Sequence, residues 1–453
     1  MSTIAAIATA QSGGGIGIIR ISGQNAIKIA DFVFKSIDGK KLSELKGYQA
    51  KFGHIYNQDE KLDQCVALVF KAPHSYTGED VVELSCHGGL FILKEILSLV
   101  FDAGASPAGA GEFTKRAFLN GKIDLTQAES VMSLISAQGE QAARASLNAL
   151  DGVLHKKITS ILTVLMDCSA NMAAWVDYPD DEIPEMDAEN LIEILFNAKG
   201  QLEELLANYS QGQAIIEGVD TAIVGRPNAG KSTLMNLLVG KEKSIVTDIA
   251  GTTRDIVEET VNLGNLVLHL ADTAGIRNSD DIIETMGIDR ALERLEKASL
   301  VYAVFDSSSK LNDEDMKLIA ACKNKLSVAI INKTDLENQI DRDILNDNFK
   351  NIVYISAKSG DGYKSLIDIT QKLLGTDSFN SSAPILANER QKNCCKKSLN
   401  CIIEAYDGAV MGMTYDAINV SIDGAISYLL ELTGERATEK VVENIFSHFC
   451  VGK

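Results

Sequence analysis

The sequence predicts a multidomain protein in which an α+β N-terminal domain is followed by an all-α domain, and the all-α domain is interrupted by an α/β unit. Short apolar runs and glycine-rich turns fill residues 1–118, helical periodicity occupies 119–216 and returns over 380–453, and strands alternate with helices over 217–379. A compact domain whose termini lie close together can be inserted into another domain. We therefore expect the second and fourth segments to form one helical domain around the third.

Composition and charge limit the class of protein. The chain has 453 residues, of which 45% are hydrophobic and 23% charged, as in soluble globular proteins with more than one core. No run of 18 apolar residues occurs, so we expect no transmembrane helix and no membrane partner. The eight cysteines form no CxxC pair, which favours a reducing, cytoplasmic compartment. The net charge of −19 argues against nonspecific binding of nucleic acids.

The first domain begins with an alternating apolar pattern that predicts a strand. A signal peptide would need a basic start, whereas the first cation is Arg20. Further strand-like or glycine-rich runs lie at Gly13–Gly23, Cys65–Phe70 and Val81–Gly89. These runs are typical of an α+β domain.

Helical stripes mark the two parts of the all-α domain. Thr126 and Glu129 have the spacing of a capping box at the start of a helix. Two apolar stripes follow the helical period, and we expect both to be core positions: Ile158, Ile161, Leu165, Cys168 and Met172 in the first part, and Tyr415, Ile418, Ile422, Ile426 and Leu429 in the second.

A phosphate-binding loop follows the apolar strand Asp220–Val224. Residues 225–233 match G-x-x-x-x-G-K-[ST] in the strand–loop–helix context that the motif requires. Glycines let the backbone turn so that amide groups point at phosphates, and the following helix adds its positive end. The predicted phosphate ligands are Gly225, Asn228, Ala229, Gly230, Lys231, Ser232 and Thr233, with Lys231 at the outer phosphates and the Ser232 hydroxyl on Mg²⁺.

Three further motifs follow in the order expected of a guanine-nucleotide site. The first, Asp272, Thr273, Ala274 and Gly275, places an aspartate near Mg²⁺ and a glycine near the γ-phosphate. In the second, Asn332-Lys333-Thr334-Asp335, the carboxylate can accept N1–H and the exocyclic amine of guanine, a donor pair that adenine lacks. The third, Ser356, Ala357 and Lys358, completes the base pocket. Residues 217–379 are therefore predicted to be a P-loop GTPase (G) domain that binds GTP and Mg²⁺.

The hydrolytic residues differ from those of many small GTPases. Ile276 occupies the position where such proteins place a water-orienting glutamine, so catalysis must use another group. Asn228 in the phosphate loop is one candidate for this group, and the loop at residues 247–253 is the other. Within that loop, Thr253 is a candidate Mg²⁺ ligand when the loop closes on GTP. The predicted nucleotide-binding residues of the loop are Thr247, Asp248, Ile249, Ala250, Gly251, Thr252 and Thr253.

Motifs outside the G domain carry a family resemblance that covers the whole chain. They are Pro73–Asp80, His87–Gly89, Gly111–Leu125 and the ending Cys450–Lys453. Together with the G-domain motifs they resemble the MnmE (TrmE) family of tRNA modification GTPases. Other GTPases of the superfamily share only the middle third of this pattern.

The resemblance implies a specific reaction. With a flavoprotein partner, MnmG, the family adds an aminomethyl or carboxymethylaminomethyl group to C5 of the wobble uridine of certain tRNAs. A tetrahydrofolate derivative, 5-formyl or 5,10-methylene, is the one-carbon donor. The residues carried over to the folate site are Arg20, Glu83, Lys122 and Lys453, and Cys450 is carried over as functionally important. The resemblance also implies a homodimer, with folate binding and dimerisation in residues 1–118.

The resemblance further implies how GTP is hydrolysed without the glutamine. The family uses a bound K⁺ in place of an arginine finger, and its ligands correspond here to Asn228, Thr247, Ile249 and Thr252. The water-orienting acid corresponds to Glu284. Two G domains meet to close each site.

The pattern departs from the family at two places and leaves alternatives open. Gln11–Gly15 lacks the usual proline and arginine, and Ser106–Phe113 is longer than usual and lacks an arginine, which affects the expected folate-loop geometry. The basic cluster Arg390, Lys392, Lys396 and Lys397 is either a tRNA contact or a solvated helix face. One alternative function is a ribosome-assembly GTPase that acts as an RNA-binding switch, although no GxxG-type RNA-binding module is evident after residue 380. Another is a regulatory GTPase that has lost folate use.

Overall fold

The computed structural model describes residues 2–11, 13–177, 187–241, 259–270 and 295–453. Several predicted site residues lie outside these ranges: Thr247 to Thr253, Asp272 to Gly275, Ile276 and Glu284. The chain divides into two compact units, Met1–Met132 with Ile426–Lys453, and Ser133–Ala425. The two ends of the chain therefore share one unit.

The first unit contains a seven-stranded sheet that confirms the predicted N-terminal strand. Its strands are β1 Ile4–Ile7, β2 Ile16–Ser22, β3 Phe34–Ser36, β4 Gln49–Asn57, β5 Glu60–Phe70, β6 Val81–His87 and β7 Ser106–Pro107. Their order in the sheet is β3-β4-β5-β6-β2-β1-β7. β2 and β6 are antiparallel neighbours, and their register places Arg20 opposite Glu83.

Helices cover one face of this sheet. They are α1 Ala26–Val33 and α2 Leu90–Asp102, with a short 3-10 turn at Leu42–Glu44, and α3 Glu112–Leu119 follows β7. Alternate strand residues such as Ile19, Ile21 and Leu84 are buried against α1 and α2. Because side chains alternate across a strand, Arg20 and Glu83 lie on the opposite face from this core.

The helical segments confirm the predicted stripes except at Tyr415, which is only partly buried. The helices are α4 Leu125–Ser136, α5 Glu140–Leu150, α6 Val153–Asp177, α7 Ala188–Ala207 and α8 Tyr209–Ile216, and, after the α/β unit, α13 Glu389–Val410, α14 Tyr415–Thr433 and α15 Glu439–Ser447. Ile158, Leu165 and Met172 of α6 are fully buried, as are Ile422 and Leu429 of α14.

The predicted capping box at Thr126 is wrong by two residues. The structure places the box at Asp124 and Gln127: Asp124 Oδ1 accepts a hydrogen bond from the Gln127 amide at 2.7 Å, and Gln127 Oε1 accepts one from the Asp124 amide at 3.0 Å. Thr126 lies inside the first turn, and its hydroxyl donates to Asp124 at 2.8 Å. An aspartate accepts first-turn amides as well as threonine does, so the sequence alone did not distinguish the two registers.

The second unit contains the α/β sheet that the alternation predicts. Its elements are β8 Val219–Val224, α9 Lys231–Lys241, β9 Glu259–Leu263, β10 Leu266–Leu270, β11 Leu300–Asp306, α10 Asp313–Cys322, β12 Ser327–Asn332, α11 Arg342–Asn348, β13 Ile352–Tyr354 and α12 Tyr363–Leu373. The strand order is β13-β12-β11-β8-β10-β9, and all neighbours are parallel except β9 and β10. Since parallel strands end at the same sheet edge, the loops after β8, β11, β12 and β13 meet there.

One helix among the described residues is long and apolar enough to cross a membrane by length and composition alone. It is Val153–Val176, with a mean hydropathy of 1.2 over its most apolar window. A single helix of this kind is weak evidence, because a core helix of a soluble protein passes the same test. Its buried stripe, described above, packs inside the unit.

Candidate functional site

The phosphate loop after β8 is shaped by close contacts that only glycine permits. A Cβ on Gly230, where φ is +95°, would lie 2.1 Å from Asn332 Nδ2, and one on Gly225 would lie 2.5 Å from the Val304 carbonyl. Asn228 also has a left-handed backbone, with φ of +61°. The loop is therefore pressed against β11 and the end of β12, as expected for backbone amides that surround a phosphate.

Lys231 bends back over this loop. Its ammonium donates hydrogen bonds of 2.8 Å to the carbonyls of Gly225 and Arg226. Burial lowers the pKa of Lys231. The ammonium group thus lies against the phosphate loop, beside the start of α9. The lysine charge and the positive end of the helix both favour binding of an anion there.

Three side chains that are predicted to contact ligands are exposed to solvent at the phosphate loop and the start of α9. Ser232 and Thr233 in the first turn of α9 are exposed, and so is Asn228. A hydroxyl at this position fits a Mg²⁺ ligand, and a side-chain amide supplies an oxygen of the kind that binds hard cations. Within the described ranges, His, Cys, Asp and Glu form no group of three or more that could hold a metal ion.

Asn332 joins the three described nucleotide motifs. Its side chain is buried, with Nδ2 donating to the Ala229 carbonyl at 3.0 Å and Oδ1 accepting from the Ala357 amide at 3.0 Å. The phosphate loop, the Asn332–Asp335 loop and the Ser356–Lys358 loop are therefore held together by one carboxamide.

Asp335 is prepared for bidentate recognition. Its Oδ1 accepts a 2.7 Å hydrogen bond from the hydroxyl of Ser356, which is itself buried. This bond lowers the pKa of Asp335, so the carboxylate is ionised at neutral pH. Asp335 is exposed, and Lys358 beyond it is exposed too. An oriented anion at this edge fits the N1–H and amine donors of guanine.

Sequence reasoning missed two residues of this site, Asp306 and Ser307 at the end of β11. The Lys333 ammonium lies 2.6 Å from Asp306 Oδ2, and the Ser307 hydroxyl donates to the Lys333 carbonyl at 2.8 Å. A signal was present, because polar residues directly after a buried run mark the carboxyl end of a parallel strand, where α/β proteins bind ligands.

The first unit brings Arg20 and Glu83 together. Arg20 Nε and Nη2 both lie 2.8 Å from Glu83 Oε1. The guanidinium also lies 5.8 Å from the ring centroid of Tyr76 and 5.5 Å from that of Phe113. The predicted cation and the predicted carboxylate thus form one oriented pair, in which Arg20 positions Glu83.

The C-terminal segment binds beside this pair. Arg20 Nη1 donates to the Gly452 carbonyl at 3.4 Å. The Gly111 amide donates to the Cys450 carbonyl at 3.3 Å, and the Phe113 amide donates to the backbone oxygen of Lys453 at 3.1 Å. The Cys450 side chain is exposed. Residues 450–453 therefore lie at the start of α3, beside Arg20.

Lys122 contacts a different part of the unit. Its ammonium donates to the Pro73 carbonyl at 3.1 Å, so it supports the Pro73–Asp80 loop. The same loop is held by Arg116, which is 3% exposed and pairs with Glu79 at 3.0 Å and Glu112 at 2.8 Å. Arg116 was not identified from the sequence, since nothing in a local pattern distinguishes a buried arginine from a surface one.

Two solved structures are similar to part of the chain. One is the G domain of the FeoB iron transporter of T. maritima, at 25% identity with a TM-score of 0.26, covering 34% of this chain and 98% of that one. Another is a variant of Aquifex aeolicus Era bound to GDP·AlF4⁻, at 26% identity with a TM-score of 0.27, covering 41% of this chain and 67% of that one.

Family models and full-length relatives match on both sides of the G domain. The model for the GTP-binding protein TrmE N-terminus matches residues 3–122, and the model for the MnmE helical domain matches 125–450. The tRNA modification GTPase MnmE of Clostridioides difficile (strain 630) is 38% identical over 454 residues, covering 100% of this chain and 99% of that protein. The protein of the same name from Lactococcus lactis subsp. lactis (strain IL1403) is 40% identical, with 100% and 98% covered. The chain therefore belongs to the tRNA modification GTPase MnmE family.

Proposed function

We propose that this chain is a K⁺-dependent GTP hydrolase which, with an MnmG-type flavoprotein, drives addition of an aminomethyl or carboxymethylaminomethyl group to C5 of the wobble uridine of certain tRNAs. A tetrahydrofolate derivative, 5-formyl or 5,10-methylene, supplies the carbon. The protein acts as a cytoplasmic homodimer. Family membership, which spans the whole chain, supports the GTPase and tRNA-modification parts of this proposal.

The observation that carries the GTPase part is the Asn332 side chain. By bonding to Ala229 and Ala357 at 3.0 Å each, it fixes the phosphate loop relative to the base-recognition loops. A nucleotide bound there would be held at both ends at a set distance, and the ionised Asp335 would select guanine. Such positioning is the main contribution that a protein makes to phosphoryl transfer.

Charge stabilisation would complete hydrolysis. Lys231 and the first turn of α9 would stabilise the charge that develops on the phosphate oxygens. We assign Mg²⁺ to Ser232 and Thr253, and K⁺ to Asn228, Thr247, Ile249 and Thr252; when bound, these ions supply further positive charge. Glu284 would orient the attacking water, in the role that Ile276 cannot fill. Of the residues assigned to the ions and the water, only Ser232 and Asn228 lie within the described ranges.

The folate part of the proposal is supported by the Arg20–Glu83 pair. The carboxylate of Glu83 is 20% exposed and is oriented by Arg20, so it can accept from the donor edge of a pterin. Lys453 and the exposed Cys450 would serve the same site, and Lys122 would contribute through the Pro73–Asp80 loop that it supports. The tail-to-α3 bonds support this placement, because they hold residues 450–453 beside Arg20.

The test is the content of modified wobble nucleosides in tRNA, measured by mass spectrometry in a strain that lacks the protein. We expect the wobble modification to be lost and to return with the wild-type gene. Complementation with Lys231→Ala or Glu83→Gln should fail, because the first removes the phosphate charge and the second removes the oriented carboxylate. If modification is intact in the deletion strain while ribosomal subunits accumulate unassembled, the ribosome-assembly function is correct and this proposal is wrong.

A further inference from the structure

The carboxyl end of β11 holds the Asn332–Asp335 loop through two residues, Asp306 and Ser307, which we term the β11 clamp. Both are buried, at 8% and 2% exposure. They lie at the end of the strand between β8 and β12, so they have the phosphate loop on one side and the guanine-recognition loop on the other. The clamp is thus centrally placed in the nucleotide site.

Asp306 is a fixed anion. The amide and hydroxyl of Ser308 both donate to its Oδ1, at 2.9 and 2.6 Å, which leaves Oδ2 for the Lys333 ammonium at 2.6 Å. Burial would raise the pKa of Asp306, but the hydrogen bonds from Lys333 and Ser308 outweigh it and lower this pKa overall. The Asp306 carboxylate is therefore ionised at neutral pH, and its hydrogen bond with Lys333 holds that side chain against the end of β11.

Ser307 fixes the backbone of the same loop. Its amide donates to the Asn332 carbonyl at 2.9 Å, and its hydroxyl donates to the Lys333 carbonyl at 2.8 Å. Its own carbonyl accepts from the amides of Gln339 and Ile340, at 2.7 and 3.2 Å. Ser307 therefore holds the chain both at the start of the Asn332–Asp335 loop and a few residues after its end.

The loop needs such support because Lys333 has an unfavourable backbone conformation. Its φ is +62°, in the left-handed region, where a residue with a Cβ is disfavoured by about 1–2 kcal/mol. That turn sets the direction of the chain toward Asp335, two residues later. Without the clamp, relaxation at Lys333 would move the carboxylate that recognises guanine.

We propose that Asp306 and Ser307 are positioning residues for guanine recognition and that Asp306 acts through Lys333. Holding the Lys333 ammonium at Asp306 also restrains the aliphatic stem of the lysine, which joins this ion pair to the backbone of the loop. The inference rests on the proposed guanine site and adds two residues to it. Neither residue needs to touch the nucleotide.

A double-mutant cycle on the full-length chain tests the role of Asp306. Asp306→Asn should weaken binding of fluorescent GDP by about tenfold or more, as for loss of a charge-assisted hydrogen bond. kcat at saturating GTP should change by less than about twofold, because ground-state and transition-state binding fall together. In a Lys333→Met background, which keeps the stem but removes the charge, Asp306→Asn should change affinity by less than about twofold.

Controls separate positioning from folding. Asp313→Asn removes the same charge from the exposed first turn of α10 and should leave GDP affinity unchanged. Ser307→Ala removes a hydrogen bond to the backbone of the loop and leaves the Asp306–Lys333 pair in place. Because its effect does not depend on the lysine charge, it should weaken GDP binding in both the wild-type and the Lys333→Met background. It also provides a second variant if Asp306→Asn melts below the assay temperature.

Two results would overturn the inference. One is unchanged or tighter GDP binding by Asp306→Asn and by Ser307→Ala, each with a wild-type melting temperature. The other is an equal loss from Asp306→Asn with and without the lysine charge, which would make Asp306 a general structural residue. If the wild-type chain showed no preference for guanine over adenine nucleotides, the proposed function itself would fail, and the clamp would have no pocket to position.

Discussion

Asn332 donates a 3.0 Å hydrogen bond from its side chain to the carbonyl of Ala229, across 103 residues of sequence. The bond links the loop that surrounds phosphate with the loop that recognises the base. Both residues are buried, so neither group can exchange this bond for one to water. The distance between the two halves of the nucleotide site is therefore set by the protein before any ligand arrives.

Replacing this carboxamide should weaken both binding and the fold of the G domain. We expect Asn332→Ala to reduce GTP affinity and to cost about 1–3 kcal/mol of stability, because two buried backbone groups, the Ala229 carbonyl and the Ala357 amide, lose their partner. Isothermal titration with GTP and thermal melting of the same variant measure the two effects. An unchanged affinity would show that the loops are positioned by other contacts.

The sequence was sufficient for those parts of the site that depend on local chemistry. The phosphate loop and the Asn332–Asp335 loop need particular residue types at fixed spacings, so their place after β8 and β12 could be predicted and is confirmed. The alternation of apolar residues predicted the N-terminal strand for the same reason. These features are determined by neighbours along the chain.

Other parts depend on neighbours in space, so their partners were not predictable, even where the sequence marked the residues, as it does for the polar pair at the end of β11. The β11 clamp needs the parallel pairing of β11 with β12, and the buried Arg116 needs carboxylates 4 and 37 residues away. The spacing of Thr126 and Glu129 predicts a capping box there, whereas the structure forms the box at Asp124 and Gln127. In each case the side chain could form its hydrogen bonds with several different partners, and only the fold determines which partner lies within reach.

The C-terminal segment provides a prediction with a matched control. Gly452 has φ of +100°, and a Cβ there would lie 2.4 Å from the Ile7 carbonyl, so Gly452→Ala should displace the segment from Arg20. Gly104 has φ of +110° but no described atom within 4 Å of its Cβ position, so Gly104→Ala should carry only the backbone strain.

We expect Gly452→Ala, and not Gly104→Ala, to abolish wobble modification and to speed amide hydrogen exchange at Gly111 and Phe113. GTP hydrolysis should persist in both variants, since this segment lies in the other unit from the nucleotide motifs. Modified-nucleoside content, exchange rates and GTPase rate are measured on the same preparations. A parallel fall of GTPase and modification in Gly452→Ala would instead indicate that the segment serves general stability.

The proposed K⁺ site leads to a salt-dependent rate. Hydrolysis should be faster in K⁺ than in Na⁺ at equal ionic strength, and Asn228→Ala should remove the difference, because a side-chain oxygen from the phosphate loop would be lost from the ion. Asn228 is exposed with φ of +61°, a conformation that alanine tolerates less well, so Asn228→Gly serves as the backbone control. Initial rates of phosphate release in the two salts decide the matter. Equal wild-type rates would exclude a catalytic K⁺.

The central claim is that Asp335 recognises guanine in a GTPase site. It is tested most directly by a substitution that changes which base the side chain at position 335 can bind. Asp335→Asn replaces one of the two acceptor oxygens with a donor, so binding of GTP should weaken by about tenfold or more while binding of xanthosine triphosphate strengthens. Parallel titrations of both nucleotides against the wild-type chain and the variant measure this. The account predicts a reversal of preference; an unchanged GTP affinity in Asp335→Asn would contradict it.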